Sequence, residues 1–296
     1  MIKNIDGVSE QFFDDGTEPR PFVPADQARV GIIPVPLEKT VSYLGGTLEA
    51  PDYVLDASRQ VELFDPEFNS SPYLAGIHTY PAVDCSGRTE HVLFLIRARI
   101  ESLSSSGQIP VCLGGEHTLT IAPVSELLNN HPALTVLHLD AHADLRESYG
   151  GSRLSHACVM RRIHEIGVPT VSVGVRSLSK EEAQYINKND MAIYSGWEFG
   201  ERGYPWKEIV AKLSEEVYIT VDLDVFDPSE VPDVGTPEPG GLRWHDALNL
   251  FRTLRNSGRK IVGFDLVELC PKTDSVVSPF FTARLLYKMI GFFCRG

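Results

Sequence analysis

The sequence predicts an α/β fold of three layers (α/β/α), with a mostly parallel sheet covered by helices on both faces. Three observations carry this. Runs such as TVLHL (135–139) and VYITV (217–221) are apolar at consecutive positions, as expected of strands buried on both faces. Stretches with apolar residues at helical spacing separate these runs. Polar residues able to do chemistry begin where several of the runs stop, and ligands of open parallel sheets bind beyond the carboxyl ends of the strands.

Taken in order, residues 1–28 read as a polar, Pro-containing N-terminal arm, laid over the surface or used in a subunit contact. ARVGIIPVP (29–37) is a strand leading into a Gly-containing loop. APDYVLDASRQVELF (50–64) has helical spacing, with Pro51 tolerated in a first turn. A helix over 89–104 precedes the strand IPVCLG (109–114) and a helix over 118–129. ALTVLHLD (133–140) is a strand, 154–166 a helix and TVSVGV (170–175) a strand. A helix near 179–188 leads to a short strand at 191–194. VYITVDLD (217–224) is a strand, 243–256 a helix, RKIVGFDLVEL (259–269) a strand and 277–293 the last helix. No linker divides the alternation, so 1–296 reads as a single domain.

With 296 residues, 43% of them hydrophobic, the chain can bury a substantial core. A formal net charge of −13 argues against nucleic acid as a partner. It mildly favours cationic ligands, although solubility explains the same excess. Five cysteines in no CxxC pair read as reduced thiols. The start has no apolar signal core, and no stretch reaches the roughly 20 apolar residues of a membrane span. A cytoplasmic protein is expected.

Three clusters carry the chemistry. Gly114-Gly115-Glu116-His117 follows the strand IPVCL, where glycines permit a tight turn and close backbone approach. Asp140, His142 and Asp144 alternate at the end of TVLHL, so the period of two puts them on one side of the strand. Asp222 and Asp224 repeat the pattern in VDLDVFDP. Four carboxylates and an imidazole crowded at strand ends would repel one another without a cation, and two divalent metals are the simplest remedy. Mixed carboxylate and imidazole donors suit Mn²⁺, Fe²⁺, Co²⁺, Ni²⁺ or Zn²⁺. His138, within its apolar run, reads as a buried residue behind the ligands, and Asp227, before Pro228, as a loop-ordering acid.

The three motifs GGEH, DAHAD and DLDVFDP, in this order, resemble those of the ureohydrolase family of arginases and agmatinases, from about residue 30 to the C-terminus. The resemblance implies an arginase/deacetylase-like fold with two Mn²⁺ per chain. One metal would take His117, Asp140, Asp144 and Asp222; the other would take Asp140, His142, Asp222 and Asp224. It implies a proton-shuttling role for His156, although Ala157 stands where most members have glycine. It also implies that Glu268, in FDLVEL, grips a guanidinium group and that Asp144 orients the attacking water. The expected reaction hydrolyses a small cationic guanidine to urea and an amine, in a homo-oligomer, trimer or hexamer.

An asparagine that arginases carry after DAHxD is absent from Leu145-Arg146-Glu147-Ser148-Tyr149, and VGTPEPGGL (234–242) looks agmatinase-like. Agmatine or N1-aminopropylagmatine is therefore the expected substrate, giving putrescine or a polyamine. Alternatives are 4-guanidinobutyrate or arginine, and a non-catalytic ureohydrolase-like protein. A one-metal deacetylase on the same architecture is disfavoured by the paired aspartates. Arg146 is expected in a surface salt-bridge cluster with Glu147 and Arg153. The loop 38–48 with Tyr43, and Trp244 with His245, are candidates for recognising the substrate tail.

Overall fold

Valine, isoleucine and leucine at consecutive positions cannot be half-exposed without cost, and the chain buries them in one sheet. The structure is a computed structural model that describes residues 11–13, 23–272 and 274–294. Eight strands form a sheet in which every pairing is parallel. They are β1 (Val30–Val35), β2 (Ile77–Thr79), β3 (Ile109–Gly114), β4 (Thr135–Leu139), β5 (Thr170–Val173), β6 (Ala192–Tyr194), β7 (Glu216–Asp222) and β8 (Lys260–Val267). Their order is β2-β1-β3-β8-β7-β4-β5-β6.

Alternate residues of each strand feed two separate cores, which makes the architecture three-layered. Val30 and Ile32, Val111 and Leu113, and Val217, Ile219 and Val221 face one core. There they meet helices α1 (Ala50–Ser58), α7 (Trp206–Ala211), α8 (Trp244–Asn256) and α9 (Val277–Phe293). Ile33, Val35, Cys112, Val136 and Tyr218 face the other core, against α2 (Thr89–Ser105), α3 (Ile121–Leu127), α4 (Val159–Glu165) and α5 (Lys180–Asn189). Each such aliphatic side chain contributes roughly 1.5–3 kcal/mol on burial.

Most expected elements are present, with differences at their ends. The helix expected over 50–64 stops at Ser58. Those expected over 118–129 and 154–166 each begin with a turn of 3₁₀ helix, at His117–Thr120 and His156–Cys158, so both histidines sit on tight turns. The strand β2 and the helices α6 (Gly196–Arg202) and α7 were not anticipated; three to seven residues are too few to show a period.

Most of the N-terminal arm lies outside the described residues. Of the part described, Phe12 and Phe13 are buried, and their backbone N–H groups donate to Thr79 Oγ1 and Ser58 Oγ. These residues belong to the core. The five cysteines are free thiols, four of them buried. Among the described residues, no helix is long and apolar enough to cross a membrane.

Candidate metal centre

The sheet's four middle strands, β3, β8, β7 and β4, are neighbours, and each one's carboxyl end delivers part of a single cluster. His117 follows β3, Asp140–Asp144 follows β4, Asp222 ends β7 with Asp224 just beyond it, and Glu268 follows β8. A register irregularity in the β7–β8 pairing sets Val267 opposite Asp222, so Glu268 leaves the sheet beside the β7 acids.

The fully buried His117 ring points Nδ1 at three carboxylates. Asp144 Oδ2 is 3.1 Å away, Asp140 Oδ2 3.3 Å and Asp222 Oδ2 3.4 Å. On the other side, His117 Nε2 lies 2.8 Å from Thr220 Oγ1, which fixes the ring. A second group adjoins the first: His142 Nδ1 is 2.9 Å from Asp224 Oδ2 and 3.4 Å from Asp140 Oδ1. Asp140 serves both groups, one oxygen to each. His138 stands behind it as expected, Nε2 2.9 Å from Asp140 Oδ2 and Nδ1 3.0 Å from Ser172 Oγ.

Strand alternation accounts for only part of this convergence. β4 ends at Leu139, and Asp144 lies in a loop with a left-handed backbone at φ 51°. That turn, not strand alternation, sends its carboxylate to His117. Likewise Asp224 sits on a 3₁₀ turn beyond β7, its N–H donating to Asp222 Oδ1 at 2.9 Å. Glu268 is also left-handed, at φ 65°. Non-glycine residues in this region cost of order 1 kcal/mol or more, and such strain gathers at functional sites.

The electrostatics are those of too many acids in too little water. Burial and the neighbouring Asp224 and Asp140 push the Asp222 carboxyl well above its usual range. Burial also raises Glu268, to about 8. Asp140 goes the other way: burial opposes its charge, but the imidazoles of His117, His138 and His142 beside it hold it well below the usual range. Burial disfavours charge on His142, yet Asp224 and Asp140 raise it to about 12. Protons thus gather where positive charge is wanted.

The donor set fits metal ions. His117 Nδ1 is buried and has no hydrogen-bond partner among the described residues, although three carboxylate oxygens surround it. Buried polar atoms are rarely left so. His117, His138, Asp140 and Asp144 bring their donor atoms within 4.8 Å of one another, and so do Asp140, His142 and Asp224, so Asp140 is common to two candidate cation sites. Asp222, expected at both, is in neither group but adjoins the first, with Oδ2 3.4 Å from His117 Nδ1.

A cavity of about 360 Å³ opens above the cluster, lined by His142, Asp144, Asp222, Asp224, His156 and Glu268 among others. Val41, Ser42 and Tyr43 of loop 38–48 form part of its wall, as anticipated. Trp244 and His245 do not line it; Trp244 instead borders an apolar surface groove with Phe280 and Phe281.

Arg146 differs from expectation. Glu147 pairs with Arg153, Arg161 and Arg162, whereas Arg146 lines the cavity, over the Tyr149 ring and 3.9 Å from Glu182. The buried Glu182 is spoken for by two backbone N–H groups, which holds that wall rigid. Asp227 orders its loop as expected, accepting from Ser229, Gly240 and Gly241; these bonds depress its carboxyl to about 2.

One positioning residue escaped the sequence reading. The buried Arg176 guanidinium donates to the carbonyls of Asp224 and Glu238 (both 2.7 Å), Pro239 (3.0 Å) and Gly174 (3.1 Å). It ties the Asp224 turn to the cavity-lining loop, whose Thr236 Oγ1 donates to Asp224 Oδ2 at 3.2 Å. A lysine has no planar fork. Arg176→Lys is expected to cost about 2–3 kcal/mol of stability and to speed metal loss, read by urea denaturation and by chelator-trapped release.

The class thus defined is a parallel α/β protein with a candidate binuclear metal centre at the ends of its middle strands. The chain belongs to the arginase family, whose sequence profile matches residues 28–291. It is 38% identical to the N(1)-aminopropylagmatine ureohydrolase of Synechocystis sp., over 90% of this chain and 89% of that protein. It is 31% identical to the agmatinase of Bacillus anthracis, over 94% and 98% of the two chains. The agmatine ureohydrolase of Thermoplasma volcanium superposes with a TM-score of 0.86 at 30% identity, covering 97% of this chain and 95% of that one. The three-layer fold expected from the sequence is the fold observed.

Proposed function

We propose that this chain is a ureohydrolase that cleaves the guanidinium group of agmatine, or of a close relative such as N1-aminopropylagmatine, to urea and an amine. The observation that carries the reading is the pair of imidazole–carboxylate groups sharing Asp140, set beneath a cavity that also presents Glu268 and His156. The names of the relatives point the same way. The reading includes two Mn²⁺ per chain, one domain over 1–296, a cytoplasmic location, a role in polyamine synthesis, and a trimer or hexamer.

His117, Asp140, Asp144 and Asp222 would hold one cation, and Asp140, His142, Asp222 and Asp224 the other. When bound, the cations supply Lewis acidity that makes hydroxide available near neutral pH. The chain's own residues do the rest. Glu268 Oε1 already accepts the His117 N–H at 2.6 Å, which leaves Oε2 for the substrate. A planar guanidinium pairs well with a carboxylate, and this pairing turns the reacting carbon toward the aspartates. Asp144 orients the attacking oxygen by accepting a hydrogen bond from it, and takes that proton as the urea carbonyl forms, releasing it to solvent in the open cavity. As the new C–O bond forms and the C–N bond to the tail breaks, the leaving nitrogen needs a proton. His156, on the cavity wall, supplies it.

The tail meets two opposed charges. Glu238 lines the cavity and forms no ion pair among the described residues, whereas Arg146 is engaged by Tyr149 and Glu182. That balance favours an ammonium tail. Glu238→Gln is expected to raise KM for agmatine about fivefold, roughly 1 kcal/mol, with kcat little changed. The presence of Arg146 in the wall supports a second reading, a carboxylate-tailed guanidine such as 4-guanidinobutyrate.

A urea-release assay over agmatine, N1-aminopropylagmatine, arginine, 4-guanidinobutyrate and guanidine, after manganese loading, decides between the two. Preference for 4-guanidinobutyrate would establish the second reading. Release of no urea from any of them would remove both.

A further inference from the structure

We propose that Glu116 and Thr40 form a positioning pair that fixes the tautomer and orientation of His156, so that its Nε2 is the nitrogen that exchanges protons in the cavity. The inference rests on the reading of His156 as proton donor and adds to it the device that keeps the ring ready.

Glu116 lies in the GGEH motif beside a ligand but faces away from the cation site. It is fully buried, and both of its oxygens are occupied. Oε2 accepts the backbone N–H of Lys39 at 2.5 Å and of Thr40 at 2.7 Å. Oε1 is 3.0 Å from Thr40 Oγ1. An ionised carboxylate only accepts, and a threonine hydroxyl has one proton. That proton therefore goes to Glu116.

With its proton committed, Thr40 Oγ1 can only accept from its other neighbours. Both belong to His156: the backbone N–H at 3.1 Å and ring Nδ1 at 3.1 Å. The neutral imidazole must then carry its hydrogen on Nδ1, which leaves a lone pair on Nε2. Ser155 Oγ, at 3.5 Å, is the other polar neighbour of Nδ1 and is at the limit of contact. Tyr149 packs edge-on against the ring, with centroids 5.7 Å apart, and restricts its rotation.

When His156 takes up a second proton from solvent in the cavity, that proton sits on Nε2, while Nδ1–H stays bound to Thr40. The Nε2–H bond then breaks as the N–H bond of the leaving amine forms, and the ring returns to the tautomer it started from. No ring flip or internal proton shift is needed between turnovers. The negative charge on Glu116, acting through the hydroxyl, also makes Thr40 Oγ1 a stronger acceptor.

The test compares Thr40→Val, Thr40→Ser and His156→Asn in the manganese-loaded full chain, with metal content measured in each. Valine has threonine's shape and keeps both backbone bonds to Glu116, so it removes only the hydroxyl. Thr40→Val is expected to lower kcat for agmatine tenfold or more with KM within about twofold, and Thr40→Ser to lie within about threefold of the parent. In the unsubstituted protein loaded with a diamagnetic divalent ion, the ¹⁵N shifts of His156 should show hydrogen on Nδ1.

A parent with the hydrogen on Nε2 would overturn the proposal, whether or not the variants fold. So would an unchanged kcat in Thr40→Val, or equal losses in the valine and serine variants, since the latter is mere loop packing. Full activity in His156→Asn would remove the proton-donor reading itself. Loss there with a normal Thr40→Val would remove only the positioning pair.

Discussion

Replacing Asp140 with asparagine is expected to abolish turnover, by at least about a thousandfold, or roughly 4 kcal/mol of transition-state stabilisation. Asp140 is common to both imidazole–carboxylate groups, and with Asp222 it is one of two residues that would hold both cations. Its Oδ2 faces His117 and His138, and its Oδ1 faces the His142 ring and accepts the His142 N–H at 2.6 Å. An amide has one oxygen in place of two. Whichever way it turns, an NH₂ group points at a donor or into the cation position. Both cation sites are therefore damaged by one substitution, whereas loss of His142 or Asp224 removes a donor from one group alone.

The effect on stability separates this account from simple unfolding. Without cations the cluster is over-supplied with negative charge, as the elevated Asp222 carboxyl and His142 ring show. Asp140 is the exception, its charge favoured by three neighbouring imidazoles, so its loss should lower the metal-free Tm even as it relieves repulsion on Asp222. The parent should gain stability from manganese, because a ligand that binds only the folded state stabilises it by mass action. The gain should be absent in Asp140→Asn. Differential scanning calorimetry with and without manganese measures both, and a variant that keeps the manganese-dependent rise in Tm would refute the shared-ligand assignment.

The sequence revealed the sheet because its strands are long and apolar on both faces, and it revealed the cluster because ligand types concentrate in three short motifs. It could not show how those motifs meet. Asp144 and Glu268 reach the site through left-handed backbone conformations, which no side-chain period encodes. Arg176 was invisible because it acts on carbonyl groups, which every residue possesses; an arginine after TVSVGV has no local signature. Arg146 was misplaced because neighbouring Glu147 and Arg153 suggested a cluster. Glu147 does form one, but with Arg153, Arg161 and Arg162, and the chain turns Arg146 the other way. Glu116 was in plain view within GGEH, yet its partner Thr40 is 76 residues distant.

Gly115→Ala should be among the most damaging substitutions away from the ligands, costing about 3 kcal/mol or more and lowering activity as well. The reason is close approach alone, since neither Gly114 nor Gly115 has a positive φ. A Cβ on Gly115 would lie 2.1 Å from the carbonyl oxygen of Leu37 and 2.6 Å from its nitrogen. Backbone cannot step aside as a side chain can, and this stretch is fastened by Gly115 N–H to Val35 O at 3.0 Å and Glu116 N–H to Leu37 O at 2.7 Å. Relief requires moving the segment that carries Thr40 or the turn that carries His117. Gly114→Ala meets mainly the side chains of Leu119 and Val267, at 2.4 and 2.8 Å, which have some freedom to repack. Gly150→Ala has open space but a φ of 56°, so about 1 kcal/mol is expected there. Urea denaturation of the three variants should rank them in that order, 115 worst and 150 mildest. Equal costs at 114 and 115 would show that the contact with Leu37 is not what demands a glycine.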